Sequence, residues 1–414
     1  MRLPLTIVLM GCALSVASPH AGATPPKSGH WRAWLDCPGG ELPFGLDLRQ
    51  RESKWTGWII NGPERISIPR VTWDGSILTI DIDHYDSTIR ATLSADGTEL
   101  NGTWRKKAAG ERWSQLEFHA RAGDAKRFPM SGTPSATPAE VAIAGRWSVK
   151  FSSSEDLAVG IFETRPDQTV TGTFLTTTGD YRYLAGVLDA GRLRLSCFDG
   201  AHAFLFDARV RTDGTLAGDF WSRDSWHETW TARRDATAAL ADGFFTPEQT
   251  GPLKFSDMIF RDLDGRPRSL AETEFAGRVR IIEIFGSWCP NCHDAAAYLV
   301  DLDRRYRSRG VTVTGLAFEL TGDAARDARQ VRRFAKRHKI KFPLLLAGLS
   351  DKKKAAAALP MLDELKAYPT LIVVDDEDRI VTVHTGFSGP ATGEAFDRFR
   401  NRFESILDGL LATE

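Results

Sequence analysis

The stretch "IIEIFGSWCPNCHDAAAYL", residues 281–299, decides how this chain is read. It contains Cys289-Pro290-Asn291-Cys292-His293, and these five residues fit two chemistries. C-x-x-C is a redox-active dithiol, whereas C-x-x-C-H is an attachment site for c-type haem. What precedes the motif separates the two. "RVRIIEIFG", residues 278–286, is nearly continuous in apolar and β-branched residues, the pattern of a strand buried on both faces. A c-type haem domain is mostly helical and packed around its haem, so it has no place for such a strand, although Met361 downstream stands where an axial ligand would. The dithiol reading follows, with Cys289 and Cys292 as the redox pair and no cofactor or metal beyond it.

Working outward, the motif opens a helical stretch in which Leu299, Leu302 and Tyr306 recur on one face and Gly310 marks the end. "VTVTGLAFE", "DAARDARQVRRFAKRHK", "FPLLLAG", "YPTLIVVDD", "RIVTVHTG" and "TGEAFDRFRNRFESILDGLL" follow. The order β-α-β-α-β-β-α predicts a mixed sheet with helices on both faces over residues 251–414. Cys289 falls at the start of a helix, where unpaired N–H groups and the helix dipole favour a thiolate. It is the expected nucleophile, with Cys292 one turn further in to resolve the mixed disulfide. Pro290 suits the first turn because its missing N–H has no partner there in any case. His293 reads as an exposed first-turn residue, and "DKKKAAAA", residues 351–358, as a solvated helical face.

"FGSWCPNC" followed by "AYPT" resembles the TlpA/ResA group of thioredoxin-like disulfide reductases exported from bacteria. The resemblance covers residues 251–414 and implies an α/β thioredoxin-like fold, thiol–disulfide exchange in the reducing direction, protein disulfide substrates and a membrane-bound dithiol electron donor. It implies that Trp288 packs beside the cysteines and that Pro369 is a cis-proline flanking the site. Tyr368 would then offer its backbone to an extended substrate. Glu283 stands six residues before Cys289, where thioredoxin carries a buried acid that relays a proton to the second cysteine. Many TlpA-like proteins have an amide there, and an acid reaching solvent at a strand edge is the alternative. A desolvated carboxyl would have a raised pKa suited to proton transfer near neutrality. Glu319 resembles an acid that some ResA-like proteins place near the redox pair, with a helix cap or an exposed side chain as the alternative. A disulfide oxidase or isomerase would share all these features. No P-x-x-x-T-x-x-C peroxidatic loop is present.

Upstream, one unit is written twice. "GHWRAW" at 29–34 answers to "GRWSVK" at 145–150, and "SADGTELNGTW" at 94–104 to "RTDGTLAGDFW" at 211–221. Trp113 then answers to Trp230. Alternating strands and Gly-containing turns predict two small antiparallel sandwich or barrel units, at 28–128 and 141–235, joined by a Pro/Ser/Thr-rich linker at 129–140. The tryptophans read as core, and His84, His119, His202 and His227 as isolated residues without metal-ligand spacing. Neither copy shows a catalytic constellation. An envelope binding protein whose repeats carry the main role is the rival from a different class.

Charge is balanced, with 53 Lys+Arg against 54 Asp+Glu, so nothing points to nucleic acid. Residues 1–23 read as an export signal, and no segment has the roughly 18–20 apolar residues of a spanning helix. "LMGC" would make Cys12 a lipidated residue and a lipid anchor, while "AGA" ending at Ala23 suits ordinary cleavage. Either way the expected location is the periplasm or cell envelope, where Cys37 and Cys197 could pair or remain two buried thiols.

Overall fold

The computed structural model describes residues 24–110, 112–123, 126–130, 143–247, 254–362 and 364–412. The expected export signal, with Cys12, and most of the expected linker lie outside the described residues. The N-terminal half forms two nine-stranded antiparallel sheets. In each, one short strand, Glu64–Ser67 or Gly179–Asp180, hangs from a neighbour, and the other eight run up and down until the last pairs with the first. Trp31 lies opposite Ala122 in the first closure and Trp147 opposite Arg234 in the second. Both sheets are therefore closed barrels, which removes the exposed edges an open meander would leave.

The duplication is visible in hydrogen bonds. Trp31 donates its indole N–H to Lys27 O and Trp147 donates to Ile143 O, each at 2.9 Å, so the same ring plugs the same end of each barrel. The two Asp-Gly-Thr turns repeat as well: Thr98 and Thr215 donate their backbone N–H groups to Asp96 and Asp213. Gly97 and Gly214, with φ of 73° and 78°, take the left-handed turn position that a side chain would strain. The pairing of Trp113 with Trp230 does not survive. Gly102 faces Phe118 and Gly218 faces Trp230 across their ladders, which makes Phe118 the equivalent of Trp230. By the same count Trp104 matches Phe220, both buried, while Trp221 packs outward against the first barrel's core. Tryptophan spacing misled because aromatic residues change places within a barrel interior at little cost.

The barrels share an apolar seam. Phe198, Ala203 and Leu205 of the second barrel belong to the first barrel's core, with the Phe44 and Phe198 rings tilted against each other at 4.4 Å. Cys37 and Cys197 sit in the two separate cores as free thiols, so the bridge between them does not form.

The C-terminal sheet has eight strands in the order Phe244–Phe245, Ile380–Thr385, Thr370–Asp375, Val279–Phe285, Val311–Glu319, Leu344–Leu349, Ile259–Asp262, Pro267–Ser269. Phe244 pairs with His384, so this sheet reaches back before residue 251. Val279–Phe285 is central, parallel to Val311–Glu319 and antiparallel to Thr370–Asp375, and all seven of its residues are buried. Continuous apolar sequence on this strand is explained by cover on both faces.

Candidate active site

Strand Val279–Phe285 delivers the chain to Gly286-Ser287-Trp288, and helix Pro290–Tyr306 starts at once. Cys289 is the N-cap: its Sγ accepts the backbone N–H of Cys292 at 3.2 Å, one of the donors a helix start leaves unpaired. Both thiols are free, Cys289 5% exposed and Cys292 fully buried. The Cys289 thiol donates to the backbone carbonyl of Tyr368 at 3.4 Å, and the Tyr368–Pro369 peptide is cis. That carbonyl is thus aimed at the sulfur. Trp288 donates its indole N–H to Phe318 O at 2.9 Å and meets Tyr368 edge-on at 5.3 Å.

Burial drives the electrostatics behind the pair. Glu283 lies on the central strand with no exposed surface, and neither of its carboxylate oxygens has a hydrogen-bond partner. Desolvation alone lifts its pKa to about 8. The Cys292 thiol is raised well above its ordinary value, by burial first, then by Cys289 and by the Glu283 charge. The dithiol is therefore asymmetric: an N-cap sulfur faces the surface, and an inner thiol stays protonated beside a carboxyl that titrates near neutrality.

Two residues each depart from one of the readings above. Glu319 is neither a helix cap nor exposed. It is 1% exposed and accepts the Ser287 N–H at 2.7 Å and the Ser287 hydroxyl at 2.8 Å, clamping the turn that carries Trp288 and Cys289. Burial lifts its pKa to about 7 against those two hydrogen bonds. Its signal was present, since it closes an otherwise apolar strand as Glu283 interrupts one. His293 is buried, not exposed: Nε2 contacts Ser287 O at 3.0 Å, and Nδ1 contacts His338 Nε2 at 2.6 Å. His84 of the first barrel packs 5.3 Å from it. No one-dimensional signal joins these histidines, because a third of the cluster comes from another domain.

The barrels also reach the site. A cleft of about 530 Å³ opens onto Cys289, with Trp288, Pro290 and Tyr368 on one side and the second barrel on the other. Asn291, inside the dithiol loop, donates to Asp180 O of that barrel at 3.4 Å, and Gly389 N–H donates to the Asp180 carboxylate at 2.6 Å. Among the described residues no helix is long and apolar enough to cross a membrane.

Residues 249–397 match the Redoxin family, a match lying wholly beyond the second barrel. The thiol-disulfide oxidoreductase ResA of Bacillus thuringiensis subsp. konkukian is 24% identical over 144 residues, covering 34% of this chain and 75% of that protein. The thioredoxin-like protein YneN of Bacillus subtilis is 25% identical over 130 residues, covering 31% and 68%. Among solved structures, a putative thiol:disulfide interchange protein DsbE from Chlorobium tepidum aligns with a TM-score of 0.29 and 17% identity, over 38% of this chain and 96% of that one. Residues from about 249 onward are a thioredoxin-like oxidoreductase domain of the ResA/TlpA type.

Proposed function

We propose that this protein is an exported reductase of protein disulfides. The observation that carries the reading is the asymmetric dithiol: Cys289 capping a helix against the cis-proline turn, and Cys292 buried beside the unpartnered Glu283. The Cys289 thiolate attacks one sulfur of a substrate disulfide. That S–S bond breaks, a Cys289–substrate disulfide forms, and the other substrate sulfur leaves as a thiolate that takes a proton from solvent. Glu283, in its ionised form, accepts the Cys292 proton, and the new thiolate attacks Cys289 Sγ. The mixed disulfide breaks, the second substrate thiol departs, and two electrons have passed from the dithiol to the substrate. Pro369 and Tyr368 position the substrate strand, and Trp288 covers the pair. A membrane-bound dithiol partner in the envelope resets the Cys289–Cys292 disulfide, and the leader at 1–23 accounts for export, with Cys12 as the anchor point if it is lipidated.

The test is reduction of a disulfide-linked peptide by the mature protein. Cys289→Ser abolishes turnover, and Cys292→Ser accumulates mixed disulfides visible by mass spectrometry. Full turnover in Cys289→Ser removes the assignment. The direction rests on the reduction potential: about −220 mV or lower supports a reductant, whereas one near −120 mV makes the protein an oxidant.

A further inference from the structure

The cleft over Cys289 is built from two domains, and its outer wall has a specific chemistry. It meets the second barrel at Tyr181, Phe204 and Phe220, whose ring centroids lie 5.2–5.5 Å apart. At its rim stands Trp226, 50% exposed. Its indole N–H is already used, donating to Glu228 Oε1 at 3.1 Å, so what it presents is an apolar face. An exposed aromatic fixed by its own polar atom is an anchor prepared for a partner.

The charged groups lining this cleft are unequal. Glu228 is engaged on both oxygens, by Trp226 on one and by the Ser153 N–H and hydroxyl on the other. His202 is held by Asp199, and the Asp180 carboxylate accepts the N–H groups of Arg182 and Gly389. Among the described charged groups of this lining, only the Arg223 guanidinium makes no side-chain hydrogen bond or close ion pair; its favourable charge neighbour is Asp224, which is outside the lining and accepts the Gln115 N–H. Buried Lys106 lies near enough that Arg223, Asp199 and Cys289 all act on its charge, and burial lowers its pKa to about 8. A half-buried cation without a close ion-pair partner, in a cleft that opens onto a nucleophile, is where an anionic group of the substrate gains most.

We propose that the second barrel selects the substrate, and that the cleft takes an extended polypeptide segment in which the attacked cysteine has a carboxylate neighbour for Arg223 and an apolar neighbour for Trp226. This rests on the dithiol reading above. A cleft of about 530 Å³ is on the scale of sites that bury a small ligand or a few residues, too small for a folded surface to enter. Free glutathione disulfide shares the carboxylate but offers no bulky apolar group to the aromatic wall.

The experiment measures initial rates with two disulfide-linked peptides that differ only in Glu or Lys beside the cysteine, and with glutathione disulfide. The full chain is expected to prefer the Glu peptide by about tenfold, the scale of one partly desolvated charge pair. In Arg223→Gln the Glu/Lys ratio falls toward one, and Arg223→Lys restores it. A ratio taken within one preparation cancels any loss of folded protein. Trp226→Ala lowers the rate on the peptides more than on glutathione disulfide. A Glu/Lys ratio indifferent to Arg223 overturns the anion subsite, and equal loss on peptides and glutathione in Trp226→Ala overturns the aromatic wall. Turnover retained in Cys289→Ser would instead overturn the dithiol reading, leaving the two failures distinguishable.

Discussion

Arg182 of the second barrel and Asp294 of the redox helix form an ion pair across the domain boundary, two residues beyond Cys292. The same guanidinium donates to Glu64 of the first barrel at 2.9 Å and lies 3.7 Å from Asp199 of its own. One buried cation thus holds carboxylates from all three folded units. Burial works against its charge, but Glu64 and Asp199 outweigh it and keep Arg182 protonated.

Removing that cation takes the ion-pair partner from Glu64 and Asp294, while Asp199 keeps His202. Arg182→Met is expected to cost about 3–5 kcal/mol, the usual penalty for breaking a buried pair from one side. The cost should appear at the domain boundary first. Alkylation of Cys289, now 5% exposed under the barrel, speeds up before global unfolding does. Iodoacetamide labelling beside a thermal melt reads both. An unchanged labelling rate in a destabilised variant would show that the clamp does not govern access.

Glu283 makes its own pH signature. Its folded pKa is about 8 against an ordinary 4.5, so the native state binds an extra proton between those values. The sign is therefore a loss of stability as pH rises from about 4.5 to 8, amounting to a few kcal/mol for a fully buried group. Glu283→Gln removes that slope and is more stable than the parent at pH 8 in urea titrations. It also slows resolution of the mixed disulfide by about a hundredfold, the low end for a lost general base, with less effect on the first attack. Stopped-flow single turnovers separate the steps, and equal effects on both would refute the relay.

Much of this site is legible in the sequence because its signals are local. A buried strand, the Trp-Cys-x-x-Cys turn and Tyr368-Pro369 each lie within a few residues, and an acid in an apolar strand stands out against period and composition. Glu319 carried the same signal as Glu283 and was diluted only by its place at the strand end. The repeat of Trp31 and Trp147 was legible too, whereas the match of Trp113 to Trp230 failed because core position is set by ladder register and not by residue identity. What the sequence could not show is the assembly. Arg223, Trp226, Arg182 and His84 acquire their meaning from a domain folded elsewhere along the chain.

His84 is the clearest example and gives the last prediction. It packs against His293 and Tyr85 with neither ring nitrogen in a hydrogen bond and Nδ1 4.0 Å from the Asp83 carboxylate, and His293 in turn contacts His338 and Ser287 O. Nε2 of His293 faces a carbonyl, so it carries the proton, and Nδ1 accepts from His338. The cluster is built for neutral rings. Burial, with Arg337 nearby, lowers His84 to about 3 and His338 to about 4, and pushes His293 well below its ordinary 6.5. Each folded value lies below the unfolded one, so the unfolded chain binds more protons and stability is lost as pH falls through about 6.5. Between pH 7 and 5 the loss is about 2 kcal/mol for each histidine kept neutral. Replacing His84 with Phe keeps the ring contact with His293 and removes one titrating group, so the acid limb of a stability–pH curve becomes shallower. Because His293 also touches the Ser287 turn, acid opening of this cluster should raise Cys289 labelling at pH 5 in the parent and less in His84→Phe. An identical acid limb in the two proteins would mean that the three rings do not form the pH-sensitive seam between the first barrel and the redox domain.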